Sequence, residues 1–393
     1  MNDNLNILDN TKIKYPLVFV HGLAGWGESD KASKITPYWG ITTGNLLTDI
    51  EKKGYTCFAT SVGPMSSAWD RACELYAELT GGTVDYGLVH SKKFNHKRYG
   101  RKYENALLPK WDKDNKINLI GHSFGGATIR LLIELLENGS KEEQEGTPEG
   151  NLSPLFKGGN TGLVHAVATL ASPHNGTSCF EAVKNSDKFK EIFMIAANFF
   201  GSTKLNKIYD TQLEQFRLGT PANEPINTCV SITKAIEFAK KEDNAMFDLS
   251  IDGAKKLNDN LSINKDIYYY SFPACESQLT AKGNYIPETR MNPLFMYFSM
   301  CIGSYTGVTD GGFVIDEKWK KNDGLVNTIS SLAPLSEPSR NFNEFEKRQK
   351  GVWYIMPQIH SDHLQIVGGM QGSDVKMLKK FYSNLAELLN EDF

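Results

Sequence analysis

The residues Gly121-His122-Ser123-Phe124-Gly125, which follow a short apolar run, constrain this chain more than any other stretch. The run 117–120 predicts a buried strand, and residues 127–137 have the apolar spacing of a helix that ends before Gly139. Glycines on both sides of Ser123 allow the sharp turn that exposes a serine at the end of a strand. A serine hydroxyl is a weak nucleophile, so this turn implies a nearby base and two N–H groups that bind an oxyanion. The pattern predicts that Ser123 is a nucleophile; the alternative is a glycine-rich turn that happens to contain serine.

A second glycine-rich loop, residues 21–27, follows another apolar run at 15–20 that predicts a buried strand. A loop in this position can supply one of the two oxyanion N–H groups, and the residue after the serine supplies the other. This reasoning selects the backbone N–H groups of Leu23 and Phe124.

Apolar runs and helical patterns alternate along most of the chain. The alternation predicts an α/β fold with a doubly wound, mostly parallel sheet. Residues 81–102 and the charged stretch 140–150 show no regular pattern, and we expect both to be irregular. The other predicted strands cover 56–61, 164–170, 267–272 and 352–356, and the other predicted helices cover 41–53, 69–79 and 374–389.

The regular alternation stops between residues 179 and 241. This range contains an apolar helical segment at 189–200, and a second apolar stretch follows at 293–300. Such stretches can belong to the core, or they can form a lid whose apolar face covers the serine and opens at a lipid surface. We expect a single domain over 1–393 with a lid insertion at 179–241.

A nucleophilic serine needs a histidine base and an acidic side chain that orients it, in the chain order serine, acid, histidine for this type of turn. Only His360 and His363 lie late in the sequence. The apolar residues 364–367 can anchor His363, which favours it over His360. Asp323 lies at a turn before an apolar run, and that placement suits a fixed carboxylate. The other candidates for the acid are Asp310, Asp316 and Asp362.

Composition excludes several classes of protein. The net charge is only −3, with both signs interspersed, which argues against nucleic-acid binding and against a polybasic membrane surface. No apolar run is long enough for a transmembrane helix. The first residues lack the pattern of a signal peptide, so we expect either an intracellular protein or one from which such a peptide was removed. The cysteines at 57, 73, 179, 229, 275 and 301 are expected to be buried thiols.

Short motifs along nearly the whole chain occur in the order found in one known family. They lie at 21–22 with 25–27, 62–67, 69–74, 81–87, 121–126, 152–156, 322–327 and 362–364. On these motifs the chain resembles the bacterial triacylglycerol lipases of the thermoalkalophilic Bacillus and staphylococcal type. The resemblance implies an α/β-hydrolase fold with a helical lid and zinc-binding insertions, together with secretion and the hydrolysis of carboxylesters.

The resemblance also assigns roles to single residues. It implies Ser123 as nucleophile, Asp323 as acid and His363 as base, with the oxyanion N–H groups at Leu23 and Phe124. That family commonly has glutamine after the serine, and this chain departs from it with Phe124. A backbone donor tolerates the change, whereas the apolar side chain is expected to alter the wall of the pocket.

The resemblance further implies a zinc ion that is held by two aspartates and two histidines. The matching positions in this sequence are Asp70, His90, His96 and Asp248. Four protein ligands leave no open position, so the implied site is structural. Spacing alone does not indicate this site, because two histidines six residues apart do not share one helix face and can simply be exposed in a loop.

The family also has a calcium site, which is built from a glutamate just after the histidine base, a nearby aspartate and backbone carbonyls. The corresponding positions here are Gln365 and Met370, and one carbonyl position falls at Arg290. Calcium prefers several anionic oxygens, and this sequence offers neither carboxylate. We therefore expect the calcium site to be absent.

The function predicted from these features is that of a lidded serine hydrolase acting on triacylglycerol or other hydrophobic esters at a lipid or polymer interface. One alternative is an esterase for soluble or polymeric esters, including polyesters, whose lid does not respond to interfaces. Another is a binding module that keeps the fold without activity, which the retention of all three candidate residues disfavours. A dehalogenase is disfavoured because aspartate would replace Ser123.

Overall fold

The computed structural model describes residues 14–183, 209, 212–216, 238, 241–369 and 373–391. Fifteen strands lie within these residues, and most are short. In chain order they are β1 Leu17–Val20, β2 Cys57–Thr60, β3 Gly82–Asp85, β4 Tyr99–Tyr103, β5 Ile117–His122, β6 Val164–Leu170, β7 Tyr268–Phe272, β8 Ala274–Cys275, β9 Ser277–Leu279, β10 Tyr285–Pro287, β11 Gly307–Val308, β12 Val314–Ile315, β13 Ser339–Asn341, β14 Trp353–Ile355 and β15 Ile359–His360.

Seven of these strands form one sheet in the order β13-β14-β7-β6-β5-β1-β2. Every neighbouring pair in this sheet is parallel, and β5 lies between β1 and β6. The predicted α/β architecture with a parallel sheet is confirmed. Since the carboxyl ends of parallel strands lie at one edge of a sheet, the loop after β1 and the turn after β5 meet there.

The helices of the described residues cover the two faces of this sheet. They are α1 Leu47–Glu51, α2 Ala68–Thr80, α3 Leu88–Phe94, α4 Gly125–Asn138, α5 Lys141–Gly146, α6 Pro154–Lys157, α7 Cys179–Val183, α8 Ala245–Leu249, α9 Ile251–Asn258, α10 Pro293–Ser304 and α11 Val375–Leu389. Successive residues of a strand point to opposite faces, and β1 illustrates the result. Val18 and Val20 belong to a buried cluster with residues of α2 and α4, whereas Leu17 and Phe19 pack with residues of α1 and α11.

Three local expectations were wrong. Residues 81–102 are not irregular, because β3 and β4 pair antiparallel on either side of α3. The charged stretch 140–150 contains α5, whose first turn is capped by the Ser140 side chain accepting from the Glu143 N–H. The helix predicted at 41–53 is confined to α1, since Gly44 has a φ of 80°, which a right-handed helix does not tolerate.

The lid insertion expected at 179–241, with its apolar segment at 189–200, lies mostly outside the described residues. The second apolar stretch, 293–300, begins α10, in which Phe295 is buried while Leu294 is 74% exposed. Within the described parts of the chain, no helix is long and apolar enough to cross a membrane. The five described cysteines are free thiols, four of them buried, and Cys229 lies outside the described residues.

Candidate active site

Ser123 lies in the turn between β5 and α4, with a left-handed φ of 55°. A side chain other than glycine rarely adopts this conformation, and here close packing enforces it. A Cβ atom on Gly121 would lie 2.6 Å from the Gly125 carbonyl carbon, and one on Gly125 would lie 2.2 Å from the Val20 oxygen. The two glycines are therefore required by contacts inside the turn and against β1, as the sequence pattern predicted.

The turn brings Ser123 against two residues from distant parts of the chain. The Ser123 Oγ lies 2.8 Å from Nε2 of His363, and Nδ1 of His363 lies 2.8 Å from Oδ2 of Asp323. All three side chains are buried. The serine hydroxyl can donate to Nε2 while Nδ1–H donates to the carboxylate, an arrangement that lets the imidazole accept the serine proton.

Backbone contacts hold the carboxylate and the imidazole in place. Oδ1 of Asp323 accepts hydrogen bonds from the N–H groups of Leu325 and Val326, at 3.0 and 2.8 Å, which leaves Oδ2 for the imidazole. The N–H of His363 donates to the Asp323 carbonyl at 3.0 Å. The turn that the sequence indicated around Asp323 therefore fixes both the carboxylate and the backbone of His363.

The other candidates for the base and the acid have different partners or are exposed. His360 is exposed, and its Nε2 contacts Glu288 Oε2 at 2.9 Å. Asp362 is buried, but its carboxylate accepts from the N–H groups of Asn292, Leu364 and Gln365. Asp310 and Asp316 are exposed, and Asp316 caps a short 3₁₀ helix by accepting from the Lys318 N–H. Of the four candidate aspartates, all of which lie in the described part of the chain, only Asp323 contacts the ring of His363.

The two N–H groups expected to bind an oxyanion flank the serine. Phe124 directly follows it, and Leu23 lies in the loop after β1. Among the described residues, neither N–H has a hydrogen-bond acceptor, although the Ala24 and Gly25 N–H groups beside Leu23 do. The loop approaches the serine closely, since a Cβ on Gly22 would lie 2.7 Å from the Cβ of Ser123. Leu23 and Phe124 as the oxyanion donors therefore stay a prediction.

A buried guanidinium lies beneath this loop. Arg71 in α2 donates to the carbonyl oxygens of His21 and Gly63 and, at 2.8 Å, to Oγ1 of Thr128, while its guanidinium lies 5.0 Å from the centre of the Phe124 ring. Burial lowers the pKa of Arg71 to about 10, so the group keeps its charge at neutral pH. The sequence indicated Arg71 only as part of a motif, and no local pattern revealed these contacts.

A second polar cluster joins α2, α3 and the residues before α8. It contains Asp70, His90, His96 and Asp243, whose potential ligand atoms all lie within 4.8 Å of one another. His90 Nε2 lies 3.3 Å from both Asp70 Oδ1 and Asp243 Oδ1, and His96 Nε2 lies 3.4 Å from Asp243 Oδ2. The side chains of Asp70, His96 and Asp243 are almost completely buried.

The polar atoms of this cluster are not satisfied by one another. Five buried atoms have no hydrogen-bond partner among the described residues: Asp70 Oδ1, His90 Nε2, His96 Nε2 and both Asp243 oxygens. Nδ1 of His96 lies 2.8 Å from the Lys97 carbonyl, which only accepts, so Nδ1 carries the proton. In neutral His96 the bare Nε2 then faces a carboxylate oxygen, and a cation between them would remove this conflict. Two imidazoles and two carboxylates fit a tetrahedral zinc ion.

The charges of this cluster also shift the pKa values of its members, in the direction that favours an added positive charge. Burial lowers the pKa of His90, but Asp243 and Asp70 outweigh this effect and raise it to about 9. Burial, followed by the Asp243 charge, raises the pKa of Asp70. In the absence of another cation, the buried carboxylates thus draw a proton onto the histidine or keep their own.

The prediction that Asp248 is the fourth member of this cluster was wrong. The Oδ2 atom of Asp248 accepts from the Ala68 N–H at 2.7 Å, at the first residue of α2. Asp243 takes the predicted place, with its carboxylate beside His90 and His96; it directly precedes Asn244, whose side chain caps α8. Both aspartates lie near the start of this short helix, and no pattern within 241–249 distinguishes the residue that reaches the histidines.

At the positions of the expected calcium site, Gln365 donates from Nε2 to the Arg290 carbonyl at 2.8 Å. A backbone oxygen that a cation would need is thus engaged by a neutral amide. Met370 lies outside the described residues. The absence of a calcium site stays a prediction.

Comparison with known proteins assigns the chain to a family. The family described as "Lipase-like, C-terminal domain" matches residues 13–392. Lipase 1 of Staphylococcus aureus (strain MRSA252) is 36% identical over 380 residues, which make up 95% of this chain and 54% of that protein. Lipase 2 of Staphylococcus aureus is 37% identical over 360 residues, 90% of this chain and 50% of that protein. The chain thus spans about half the length of these curated relatives.

Solved structures show the same relationship in three dimensions. EstA from Clostridium botulinum superposes with a TM-score of 0.85 and 36% identity, over 96% of this chain and 88% of EstA. The Staphylococcus hyicus lipase gives a TM-score of 0.83 and 33% identity, over 97% of both chains. Lipase 1 from Pelosinus fermentans gives 0.81 and 37%, over 97% of this chain and 99% of that chain. The predicted α/β-hydrolase fold is confirmed, and the chain belongs to the lipase-like C-terminal domain family, with staphylococcal-type lipases among its relatives.

Proposed function

We propose that this protein is a serine carboxylester hydrolase of the lipase kind. The observation that carries the proposal is the hydrogen-bonded series Ser123–His363–Asp323 at a strained turn, beside two N–H groups that have no acceptor among the described residues. Acyl transfer needs a nucleophile bonded to a base, an acid that orients the base, and donors for the oxyanion. Relatives whose names state that they are lipases support the same reaction class.

In the proposed mechanism the Ser123 Oγ attacks the ester carbonyl carbon while His363 Nε2 accepts the serine proton. Asp323 holds the imidazole in the required tautomer and stabilises its positive charge. The N–H groups of Leu23 and Phe124 donate to the oxyanion of the tetrahedral intermediate. The imidazolium then protonates the leaving alcohol, which departs and leaves an acyl group on Ser123. Water attacks the acyl-enzyme with His363 again as base, which releases the acid and restores the serine.

The surroundings of the site favour hydrophobic esters. Phe295 in α10 has its ring centre 6.4 Å from that of His363 and packs against Gly324 beside Asp323. On the same helix, Leu294 is 74% exposed and Met300 is 47% exposed. Apolar side chains therefore flank the buried hydroxyl and continue to the surface, where an acyl chain or a lipid interface can contact them.

Zinc is the metal we propose for the second cluster, with Asp70, His90, His96 and Asp243 as its ligands. Four protein ligands leave no position for water, so its role is to hold α2, α3 and the segment before α8 together. No step of ester hydrolysis passes through it. Secretion, which the resemblance implies, completes the proposal; export of the full-length protein into the medium of its source cells tests it.

The proposal is tested with a chain-length series of soluble and emulsified esters, followed across the solubility limit of each. A lipase prefers long acyl chains and becomes faster above that limit, whereas an esterase for soluble esters reaches its full rate below it. Ser123→Ala should lower turnover about 10⁴-fold or more and abolish labelling by a phosphonate ester, with melting nearly unchanged. Labelling that persists in this variant would contradict the assignment of Ser123.

A further inference from the structure

Behind Ser123, two buried aromatic side chains connect segments that are far apart in the sequence. They are Tyr38, from the loop before α1, and His122, the residue before the serine; they are 5% and 1% exposed. The proposed reaction uses neither side chain. Their contacts involve the backbone of Gly22, next to the Leu23 N–H, and the backbone of His363.

The direction of each hydrogen bond follows from the chemistry of the partners. Nε2 of His122 lies 2.9 Å from the His363 carbonyl oxygen, which can only accept, so Nε2 carries a proton and donates. Burial, reinforced by the nearby His363, lowers the pKa of His122 well below its ordinary value, so the ring is neutral and Nδ1 bears a lone pair. The Tyr38 hydroxyl, 2.6 Å from that nitrogen, must then donate to it. Its oxygen in turn accepts from the Gly22 N–H at 3.2 Å.

The series Gly22 N–H → Tyr38 → His122 → His363 carbonyl therefore has one consistent direction. Its ends are two loop segments 341 residues apart, neither of which lies in a strand or helix. One end precedes the Leu23 N–H, and the other is the backbone of the base. The remaining anchor of the His363 backbone is its N–H, which donates to the Asp323 carbonyl.

We propose that Tyr38 and His122 are positioning residues that align the Leu23 N–H and the imidazole of His363 with the same oxyanion. The inference rests on the proposed ester hydrolysis and deepens it. Neither side chain touches the reacting atoms. Their effect arises because the oxyanion donor and the base must act on one tetrahedral centre, where a misplacement of about 1 Å can cost on the order of 100-fold in rate.

The test uses Tyr38→Phe, which keeps the ring and removes only the hydroxyl. The Gly22 N–H loses its acceptor and His122 Nδ1 loses its donor. Tyr382→Phe is the matched control, since Tyr382 is also fully buried and its hydroxyl donates to the Ile366 carbonyl at 3.0 Å, which is not a member of the series. Each variant removes one buried hydroxyl; Tyr38→Phe breaks two hydrogen bonds and Tyr382→Phe breaks one, so both should melt below the wild type, and Tyr38→Phe somewhat lower.

We expect kcat on a soluble ester to fall about 10- to 100-fold in Tyr38→Phe, with KM within about twofold of the wild type. Tyr382→Phe should keep kcat within about twofold. His122→Phe, which keeps an aromatic ring but can neither accept from Tyr38 nor donate to the His363 carbonyl, should lower kcat to a similar extent. The double variant Tyr38→Phe/His122→Phe should be about as slow as the slower single variant, because both changes break one series.

A kcat of Tyr38→Phe within twofold of the wild type would overturn the inference, and so would effects of the two changes that multiply in the double variant. If His122→Phe does not fold, the comparison of Tyr38→Phe with Tyr382→Phe decides the question alone. Failure of the proposed function is a separate result, in which the wild-type protein neither hydrolyses esters nor is labelled at Ser123.

Discussion

The two polar clusters of this protein differ in how their buried groups are satisfied. In the cluster around Ser123, the imidazole has a partner at each nitrogen, and the Asp323 carboxylate accepts three hydrogen bonds. In the cluster around His90, five buried atoms have no hydrogen-bond partner among the described residues, and acceptors face each other. The first arrangement needs only a substrate, whereas the second needs a cation or extra protons. The buried groups of a catalytic series can thus satisfy one another, whereas unsatisfied buried ligand atoms indicate that a cation is missing.

The largest effect should come from removing the charge that completes the first cluster. Asp323→Asn is expected to lower kcat about 10⁴-fold, because the amide favours the wrong tautomer of His363. Asp362→Asn is the matched control, since Asp362 is also buried but accepts only from backbone N–H groups. Steady-state kinetics on a soluble ester measure both. A larger loss in Asp362→Asn than in Asp323→Asn would reverse the assignment of the acid.

The next largest effect concerns the second cluster and separates its two candidate aspartates. Asp243→Asn should lose zinc and melt roughly 5 °C or more below the wild type, because a structural metal contributes several kcal/mol to folding. Asp248→Asn should keep zinc, since its side-chain oxygen can still accept from the Ala68 N–H. Elemental analysis and thermal unfolding measure the two outcomes. Zinc retained in Asp243→Asn and lost in Asp248→Asn would restore the original prediction.

Removal of the metal should not abolish the reactivity of Ser123 in the first cluster. Protein treated with a chelator should melt lower, yet its folded fraction should still be labelled at Ser123 by a phosphonate ester below the new melting temperature. The reason is that the four-ligand cluster has no position for a water molecule or substrate. A folded, metal-free protein that is no longer labelled would show that the two clusters depend on each other.

A smaller effect should come from Glu78, a buried carboxylate in neither cluster, which accepts from the Ser61 N–H at 2.8 Å. Burial raises the pKa of Glu78 to about 8, and the Ser61 N–H offsets part of this rise. Between the ordinary pKa of about 4.3 and about 8, the folded protein holds a proton that the unfolded chain has released. The contribution of Glu78 to the free energy of unfolding should therefore fall as pH rises through this window.

Glu78→Gln lacks this titration. Its free energy of unfolding relative to the wild type should increase between pH 5 and pH 8, as measured by denaturant unfolding at fixed zinc concentration. A difference that does not change with pH, or that changes in the opposite direction, would contradict the raised pKa of Glu78.

The smallest effect is expected from calcium. The Gln365 amide already donates to the Arg290 carbonyl, and a neutral side chain that donates there offers little to a hard cation. Adding calcium to chelator-treated protein should change the melting temperature by less than about 1 °C. A rise of many degrees would mean that other oxygens, including those of residues outside the described ranges, complete a site.

Much of the first cluster was predictable because its residues occur in local patterns. The glycines around Ser123 are required by contacts inside the turn and against β1, and the turn at Asp323 is closed by its own carboxylate, which accepts from the N–H groups of Leu325 and Val326. The alternation of apolar runs likewise predicted the parallel sheet, because each strand and helix must bury its own apolar face. The apolar residues that follow His363 favoured it over His360, and the family resemblance assigned both His363 as base and Asp323 as acid.

What the tertiary structure alone decided depends on contacts between distant segments. Asp243 and Asp248 lie five residues apart around one short helix, and only its packing against α2 and α3 determines which carboxylate reaches His90 and His96. The series through Tyr38 and His122 could not be predicted from local patterns either, because its members come from three segments that are far apart in the sequence. Local patterns report the interactions of a residue with its chain neighbours, whereas ligand sets and positioning contacts are set by the packing of elements against each other.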